Sequence, residues 1–342
     1  MSEPKVSFIV PVYNTREYLP RCLDSLLNQT LQDIEIVVVN DGSPDDSAAI
    51  IADYANRDAR VRSVEKANGG LSSARNAGMA AARGSIIDFV DSDDYVESNL
   101  AAFLVDTFER EQAEIVVFGA YCEPEKQASK RIRQLLSPTA CRFDSFDAAL
   151  LFSTHAQPYV WRAAYARELL EQESLQFAEN VRFAEDVVFQ FESYPLSSGT
   201  IVVPDKLYHY VMQEKSLTHT FNVATKRKDK LDAHLLVLHE VLERWDKRGL
   251  LNLCPGELVT WFLDLSAFDL ARLEEADYHD AAKRISHDFK EHLGTAWLQL
   301  PKSAPVRSVA RKLNNDAAVS MLDAVRLYLS TRGLKACLER FI

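Results

Sequence analysis

Apolar runs and helical stripes alternate over the first 120 residues of the chain. Five runs predict strands, at residues 6–10, 34–39, 61–64, 86–90 and 115–118. None of them alternates strictly between apolar and polar residues, which is typical of strands covered on both faces of a mainly parallel sheet. Because helical patterns lie between the runs, the order predicts a doubly wound α/β domain with helices on both faces.

Three helices are predicted between these strands. The first spans residues 18–29, with its leucines on one stripe. The second is expected to begin with Ser43 as N-cap and Pro44 at the first helical position. The third spans residues 72–82, and Gly84 is expected to cap its C-terminus.

The pattern changes further along the chain. Residues 122–140 are polar and predict a surface loop. From about residue 225 only helical spacing remains. The leucines that recur at this spacing are Leu231, Leu235, Leu238 and Leu242. We therefore expect a C-terminal helical domain after the α/β domain.

Composition narrows the class of protein. The 342 residues are 47% hydrophobic and 26% charged, enough for a sizeable core and favouring two domains. We expect no spanning helix and no signal peptide, and the five dispersed cysteines predict reduced thiols. These features favour a cytoplasmic protein. The net charge of −11 argues against nucleic acid as the main partner.

The C-terminal segment is basic. Residues 301–342 contain eight Lys or Arg and three Asp or Glu. Basic residues beside an apolar stripe suit weak peripheral contact with the inner face of the cytoplasmic membrane. The alternative, which we favour, is that the stripe packs into the core of its own domain. The same helices also offer a surface for a homodimer.

Polar clusters follow three of the predicted strands: PVYN at residues 11–14, NDGS at 40–43 and DSDD at 91–94. Ligands of doubly wound sheets bind at the carboxyl ends of the strands. We therefore expect the three clusters to converge at one edge of the sheet.

The DSDD cluster is the strongest candidate for a metal site. Its three carboxylates repel one another unless a cation or wide solvation relieves them. Mg²⁺ and Mn²⁺ prefer oxygen ligands and typically take one or two carboxylates together with substrate phosphates. The alternative is an acidic turn before the helix that starts near Glu97.

A glycine-rich stretch, NGGLSSARN at residues 68–76, precedes the third helix. Its two glycines permit close backbone approach, and a helix N-terminus favours anions. Arg75 in the first turn opposes the helix dipole, and a bound diphosphate would explain that position. The alternative is an ordinary turn with a solvated arginine.

Together these motifs resemble family 2 glycosyltransferases of the GT-A fold, of the bacterial polysaccharide-assembly type. The match runs through residues 6–14, 39–43, 68–78 and 89–94, and a thinner match continues from 160 to 218. The resemblance implies a GT-A catalytic domain at residues 1–222. Its nucleotide-binding part is about 1–120 and its acceptor part about 121–222, and an α-helical domain follows at 223–342.

The resemblance also implies an inverting transfer of sugar from a UDP-sugar to a hydroxyl of a saccharide or lipid-linked saccharide, with Mn²⁺ or Mg²⁺. In it, Tyr13 stacks on the base, Asp41 accepts the pyrimidine N–H and Arg75 neutralises the diphosphate. The full set of implied donor-binding residues is Pro11, Tyr13, Asn14, Asp41, Asn68, Arg75 and Asp91.

The resemblance makes Asp93 the principal metal ligand, while Asp91 contacts the ribose or the metal. A shift of one residue, which makes Asp94 the ligand, is the alternative. Asp186 is implied to be the general base. The alternative is that Glu185 and Asp186 form a solvated helix start, because acidic residues favour a first turn.

Two positions depart from the family pattern. Arg162-Ala163 stands where many relatives have Asn and Lys, and Val211 stands where many have Arg. If that arginine contacts the diphosphate in relatives, Arg162 or Lys215 is the candidate replacement. His209 and His219 are expected to be ordinary hydrogen-bonded histidines.

The sequence pattern has three rival interpretations. A non-catalytic nucleotide-sugar-binding subunit is the main alternative, and it predicts that Asp186 faces away from the DSDD cluster. A nucleotidyltransferase is disfavoured because no basic, glycine-rich loop follows the first strand. An NAD dehydrogenase is excluded because that position lacks GxGxxG.

Overall fold

The computed structural model describes residues 3–153, 156, 158–213 and 226–341. The chain forms two compact units, Met1–Glu214 and Lys215–Ile342. The predicted boundary between residues 222 and 223 lies outside the described residues and remains a prediction.

The N-terminal unit contains one mixed sheet, which has nine strands among the described residues. The strands are β1 (Val6–Val12), β2 (Ile34–Asp41), β3 (Val61–Lys66), β4 (Ile86–Phe89), β5 (Tyr95–Val96), β6 (Ile115–Glu123), β7 (Cys141–Phe143), β8 (Ala163–Ala166) and β9 (Thr200–Val211). Their order is β3-β2-β1-β4-β8-β6-β9-β5, with β7 paired to β9. Strands β1 to β4 are parallel to one another, whereas β8 is antiparallel to both of its neighbours.

Helices surround this sheet. They are α1 (Leu19–Leu27), α2 (Ser47–Arg57), α3 (Leu71–Ala81), α4 (Leu100–Glu111), α5 (Lys130–Leu135), α6 (Ala149–Phe152), α7 (Arg167–Gln172) and α8 (Glu185–Leu196). Every residue of β1, β2 and β4 is buried, as expected for strands covered on both faces. The predicted α/β architecture and its five strands are therefore confirmed.

The start of α2 differs from the prediction. The helix begins at Ser47, with Asp46 rather than Ser43 at the N-cap. The Ser43 hydroxyl instead donates to Asp45 Oδ1 over 2.7 Å, and the same oxygen accepts the Ser47 N–H. Side-chain bonds of this kind compete with helix formation, so residues 43–46 remain a loop.

Gly84 is not a helix cap. Helix α3 ends at Ala81 and its C-cap is Ala82, in an extended conformation. The Gly84 N–H donates to Ser7 Oγ over 2.8 Å, and a Cβ at Gly84 would lie 2.7 Å from the Ser7 nitrogen. The glycine therefore allows close approach to β1 rather than a left-handed turn.

The prediction of a surface loop at residues 122–140 was wrong. Strand β6 continues to Glu123, a 3₁₀ turn follows at Glu125–Gln127, and α5 comes next. Ala128 and Leu136 are buried on either side of α5. These two apolar residues anchor a segment whose remaining side chains are mostly polar and exposed.

The C-terminal unit is helical, as predicted. Its helices are α9 (Arg227–Lys247), α10 (Pro255–Leu270), α11 (Glu275–Leu293), α12 (Ala304–Asn314) and α13 (Met321–Phe341), the last broken at Gly333. The four leucines of the predicted α9 stripe are buried. So is the apolar stripe of α12, which includes Val306, Val309 and Leu313.

The packing interpretation of the basic C-terminal segment is thus confirmed for α12. None of the helices in the described part of the chain combines the length and apolar character needed to cross a membrane. Peripheral membrane contact and a homodimer remain predictions.

Candidate active site

The three strand-end clusters meet, as predicted. The Asn14 N–H donates to Ser43 Oγ over 2.7 Å, which joins the ends of β1 and β2. The hydroxyls of Thr15 and Ser92 lie 2.9 Å apart, which joins the ends of β1 and β4. Residues far apart in sequence therefore form one edge because parallel strands end on the same side of the sheet.

Asp41, the last residue of β2, holds the loop between β3 and α3. Its carboxylate accepts bonds from Lys66 Nζ at 2.5 Å and from the N–H groups of Gly69 and Gly70 at 2.9 and 2.8 Å. The Asn68 side chain donates to the Asp41 carbonyl over 3.0 Å. Gly70 has φ +89°, which only glycine adopts without strain. The predicted roles of Asp41 and Asn68 in donor binding are untested.

Tyr13 presents an exposed ring just after the end of β1. Its side chain is 52% exposed, whereas Pro11 is buried in β1. An exposed aromatic ring at the carboxyl end of the sheet suits stacking on a base. That role is still a prediction.

Arg75 connects the DSDD cluster to α8. The arginine is 2% exposed, so the alternative of a solvated arginine is wrong. Its guanidinium donates to Asp91 Oδ1 over 3.0 Å and to Glu185 Oε1 over 2.8 Å, and it lies over the Phe177 ring at 5.3 Å. The two carboxylates explain why a cation, Arg75, is stable in the first turn of α3. The role of Arg75 in binding a diphosphate remains a prediction.

Asp186 follows Glu185 at the start of α8. Its two carboxylate oxygens accept the N–H groups of Tyr159 at 2.9 Å and Val187 at 2.8 Å. Burial raises the pKa of Asp186, these N–H groups and Arg75 oppose that effect, and the charge of Asp91 adds to it. Asp186 therefore lies within electrostatic reach of the DSDD cluster.

Glu185 is buried rather than solvated, with only 9% exposed. Burial raises its pKa to about 7, Arg75 opposes the shift, and Asp186 reinforces it. The alternative of a solvated helix start is therefore wrong for this residue. Arg75 pairs with two carboxylates, Asp91 and Glu185, and the charge of Asp186 also acts on it, which leaves the cluster with excess negative charge.

The backbone around Asp186 is strained. Tyr159, whose N–H binds the Asp186 carboxylate, has φ +79°, and Ala184, the N-cap of α8, has φ +59°. Left-handed conformations are uncommon for residues with a Cβ and cluster at functional sites. Both deviations serve to place the start of α8.

Asp94 is held by β9. Its Oδ2 accepts the Tyr208 hydroxyl at 2.8 Å, and its Oδ1 accepts the Val211 N–H at 2.7 Å. Both carboxylate oxygens of Asp94 are bound and the residue is only 1% exposed, so its role is structural. This disfavours the alternative in which Asp94, rather than Asp93, is the principal metal ligand.

Asp91 and Asp93 are the remaining candidate metal ligands. Both are partly exposed, and burial together with the charge of Asp91 raises the pKa of Asp93 to about 6. Arg75 binds Asp91 through Oδ1 only, so Asp91 Oδ2 and the carboxylate of Asp93 are the oxygen donors that fit the preference of Mg²⁺ or Mn²⁺.

The departures from the family pattern have structural consequences. Arg162 is fully buried and its Nη1 donates to the Leu135 carbonyl, so this contact is with the protein. Val211 contributes its backbone N–H to Asp94, a contact that an arginine would retain. Lys215 and His219 lie outside the described residues.

His209 is an ordinary hydrogen-bonded histidine, as predicted. Its ring nitrogens lie 2.9 Å from Glu97 and 3.2 Å from Glu123, and its ring stacks on Tyr95.

Sequence reasoning missed the roles of Glu185 and Tyr208. Tyr208 accepts the Asp91 N–H at 3.1 Å while it donates to Asp94. Glu185 has an acidic neighbour in the sequence, but only the fold shows that it faces Arg75. For Tyr208, its place in the alternating pattern of a strand is the one sign in the sequence that its side chain could have such a role.

The sheet order and the site define a GT-A-type fold. The chain belongs to glycosyl transferase family 2, whose sequence model matches residues 7–171. It is 41% identical over 263 residues to the uncharacterized glycosyltransferase EpsJ of Bacillus subtilis (strain 168), covering 75% of this chain and 74% of that protein.

Two further similarities cover most of the chain. The succinoglycan biosynthesis protein ExoO of Rhizobium meliloti (strain 1021) is 26% identical, over 90% of this chain and 88% of that one. Residues 1–349 of S. aureus TarS, solved in complex with UDP-GlcNAc, superpose with a TM-score of 0.71 at 19% identity. That superposition covers 95% of this chain and 89% of the TarS chain, and it shows the fold alone.

Proposed function

We propose that this glycosyltransferase is an inverting, metal-dependent enzyme of cell-surface polysaccharide synthesis. It transfers a sugar from a UDP-sugar to a hydroxyl of a saccharide or lipid-linked saccharide. The observation that carries this proposal is the Arg75 bridge, which brings Asp91 of the DSDD cluster and Glu185, next to Asp186, onto one guanidinium. The name of ExoO supports the polysaccharide context, and the UDP-GlcNAc complex of TarS supports the donor class.

In this proposal the acceptor oxygen attacks the anomeric carbon while the bond from that carbon to the diphosphate oxygen breaks. The electron pair of that bond leaves with UDP, and Asp186 takes the proton of the acceptor hydroxyl. Attack on the face opposite the leaving group inverts the anomeric configuration. Tyr13, Asp41 and Asn68 hold the nucleoside.

Asp93 and Asp91 would hold Mn²⁺ or Mg²⁺. When bound, such a cation neutralises charge that develops on the departing diphosphate. Arg75 adds a fixed positive charge on the protein side, aligned by Asp91 and Glu185 before any donor arrives.

A non-catalytic nucleotide-sugar-binding subunit is the second candidate. One observation favours it: both oxygens of Asp186 already accept backbone N–H bonds, as in a carboxylate that only begins a helix. Each oxygen has a further lone pair, so these bonds are compatible with proton transfer as well.

One experiment separates the two candidates. A panel of UDP- and dTDP-sugars is incubated with wild type and Asp186→Asn, with Mn²⁺ or with EDTA, and released nucleotide is measured with and without saccharide acceptors. We expect metal-dependent release by wild type that Asp186→Asn abolishes while donor binding persists. Equal release by the two proteins would contradict the role of Asp186. Absence of binding for every donor would overturn the whole proposal.

A further inference from the structure

The segment around α5 is basic in an otherwise acidic protein. Residues 126–143 contain five Lys or Arg and no Asp or Glu, although the chain carries a net charge of −11. Arg142 pairs with Glu111 and Asp144. Lys130, Arg131 and Arg133 lie exposed on α5, and we refer to these three side chains as the α5 basic surface.

Two of these cations, Arg131 and Arg133, have no counter-ion among the residues that the structure describes. Within the described residues, neither Arg131 nor Arg133 forms an ion pair. Most other exposed arginines on the N-terminal unit do, such as Arg57 with Asp53 and Arg110 with Asp106. The positive charges of Arg131 and Arg133 are therefore available to an external anion.

A buried cation adds to this positive field. Arg162 is fully buried beneath α5, and its Nη1 donates to the Leu135 carbonyl at the end of that helix. Its Nε and Nη2 have no hydrogen-bond partner in the described part of the chain. A buried charge without a counter-ion is costly, and an anion bound over α5 would reduce that cost.

The surface beside α5 has room and donors for an oxyanion. An open cavity of about 460 Å³ is lined by Lys130, Arg133, Gln134, Ser137 and Thr139. All five side chains carry hydrogen-bond donors. Guanidinium groups match phosphate geometry, and hydroxyl and amide groups can complete its coordination.

Tyr159 lies between α5 and the candidate base. Its ring packs against the same hydrophobic cluster as Ile132 of α5, and its N–H binds the carboxylate of Asp186. Burial raises the pKa of Tyr159 and the positive charge of Arg131 lowers it, so that charge reaches this residue. An anion on α5 would therefore act electrostatically on the residue whose N–H binds Asp186.

We propose that the acceptor is an anionic glycoside whose phosphate group binds the α5 basic surface while its hydroxyl reaches Asp186. This inference rests on the proposed function and names the acceptor class. Two kinds of molecule offer that phosphate: a saccharide on a lipid diphosphate, and a polymer with phosphodiester links. A neutral oligosaccharide would leave Arg131 and Arg133 without a function.

The first test measures binding of inorganic pyrophosphate to the full chain by calorimetry, with and without excess UDP. We expect a site that UDP does not displace. In the double variant Arg131→Gln/Arg133→Gln its affinity should fall about tenfold or more, because hydrogen bonds to charged groups contribute about 1.5–3 kcal/mol. Arg110→Gln, an exposed arginine on α4, is the matched control and should bind as wild type does.

Two outcomes would overturn the proposal. One is that UDP displaces all bound pyrophosphate, which assigns it to the donor site. The other is that UDP-insensitive binding survives the double variant. Binding of UDP with Mn²⁺ is measured on the same samples, so a failed donor site is recognised separately from a failed acceptor site.

The second test identifies the source of the phosphate. Farnesyl diphosphate represents a lipid-linked diphosphate, and a glycerol phosphodiester hexamer represents a phosphate polymer. The molecule that displaces pyrophosphate from the UDP-insensitive site at lower concentration names the acceptor class. If neither displaces it, the site binds only an adventitious ion and the assignment is wrong.

Discussion

Two carboxylate sites lie at the same edge of the sheet, and they differ in how fully their charge is compensated. Asp41 is matched by one ammonium group and two backbone N–H groups. The other site, which we call the Arg75 cluster, consists of Arg75, the carboxylates of Asp91 and Glu185 that it binds, and Asp186, whose charge acts on it. The first site is electrostatically complete, whereas the second has two more negative groups than positive ones.

This difference distinguishes a carboxylate that supports the fold from carboxylates that are candidates for catalysis. The compensated carboxylate of Asp41 fixes the loop that shapes the nucleotide site, and it keeps a lone pair that can accept a nucleoside N–H. A cluster with excess negative charge favours a proton or a cation, and raised pKa values mark candidate catalytic sites. The Arg75 cluster is accordingly where we expect proton transfer and metal binding.

The largest expected effect is on catalysis at the Arg75 cluster. Asp186→Asn should lower kcat by about 10²–10⁴-fold, the usual contribution of a general base, with donor affinity unchanged. Glu168→Gln changes an exposed acid in the first turn of α7 and is the control. An unaltered kcat in Asp186→Asn would mean that Asp186 is not the general base.

Stability should respond strongly to loss of the shared cation. Arg75→Met leaves Glu185 buried without its partner, which typically costs about 3–5 kcal/mol of unfolding free energy. In a Glu185→Gln background the same substitution should cost less, because one of the carboxylates that Arg75 compensates is already neutral. Urea unfolding of the four proteins measures this coupling, and additive losses would show that the pair is not coupled.

A smaller loss is expected at the compensated site. Asp41→Asn retains one acceptor oxygen but loses the charge that faces Lys66, Gly69 and Gly70. We expect a decrease of about 1–3 kcal/mol in unfolding free energy, typical of a buried hydrogen-bonded group. Asp53→Asn alters an exposed ion pair on α2 and should change stability by less. A null result at Asp41 would indicate that the loop is held by other contacts.

The smallest expected effect is a pH dependence. The folded state raises the pKa of Glu185 from 4.5 to about 7, so between these values the folded protein binds more protons than the unfolded one. The contribution of Glu185 to the free energy of unfolding is therefore fully present below pH 4.5 and is lost as the pH rises toward 7.

The slope of that loss is at most about 1.4 kcal/mol per pH unit. Urea unfolding between pH 5 and 8 in EDTA should therefore show a decline that Glu185→Gln removes, relative to wild type. Parallel curves for the two proteins would show that Glu185 is not protonated in the folded state at acidic pH.

Much of the scaffold could be predicted from the sequence. Each strand is a short apolar run, and the order of strands and helices restricts the sheet to a few topologies. The convergence of residues 11–14, 40–43 and 91–94 followed from that restriction alone. Prediction failed at Ser43 and Gly84, two residues of types that are common at helix ends. Here Ser43 instead donates to Asp45 within a loop, and Gly84 donates to Ser7 of β1.

The sequence by itself determined the strands, the helical C-terminal unit and the sheet edge at which polar residues gather, because periodicity and chain order are local properties. Only the tertiary structure decided what each polar group contacts. Arg75 and Glu185 are 110 residues apart, and Asp94 and Tyr208 are 114 apart. Contacts at such separations depend on how helices and strands pack in three dimensions, which spacing along the chain does not specify.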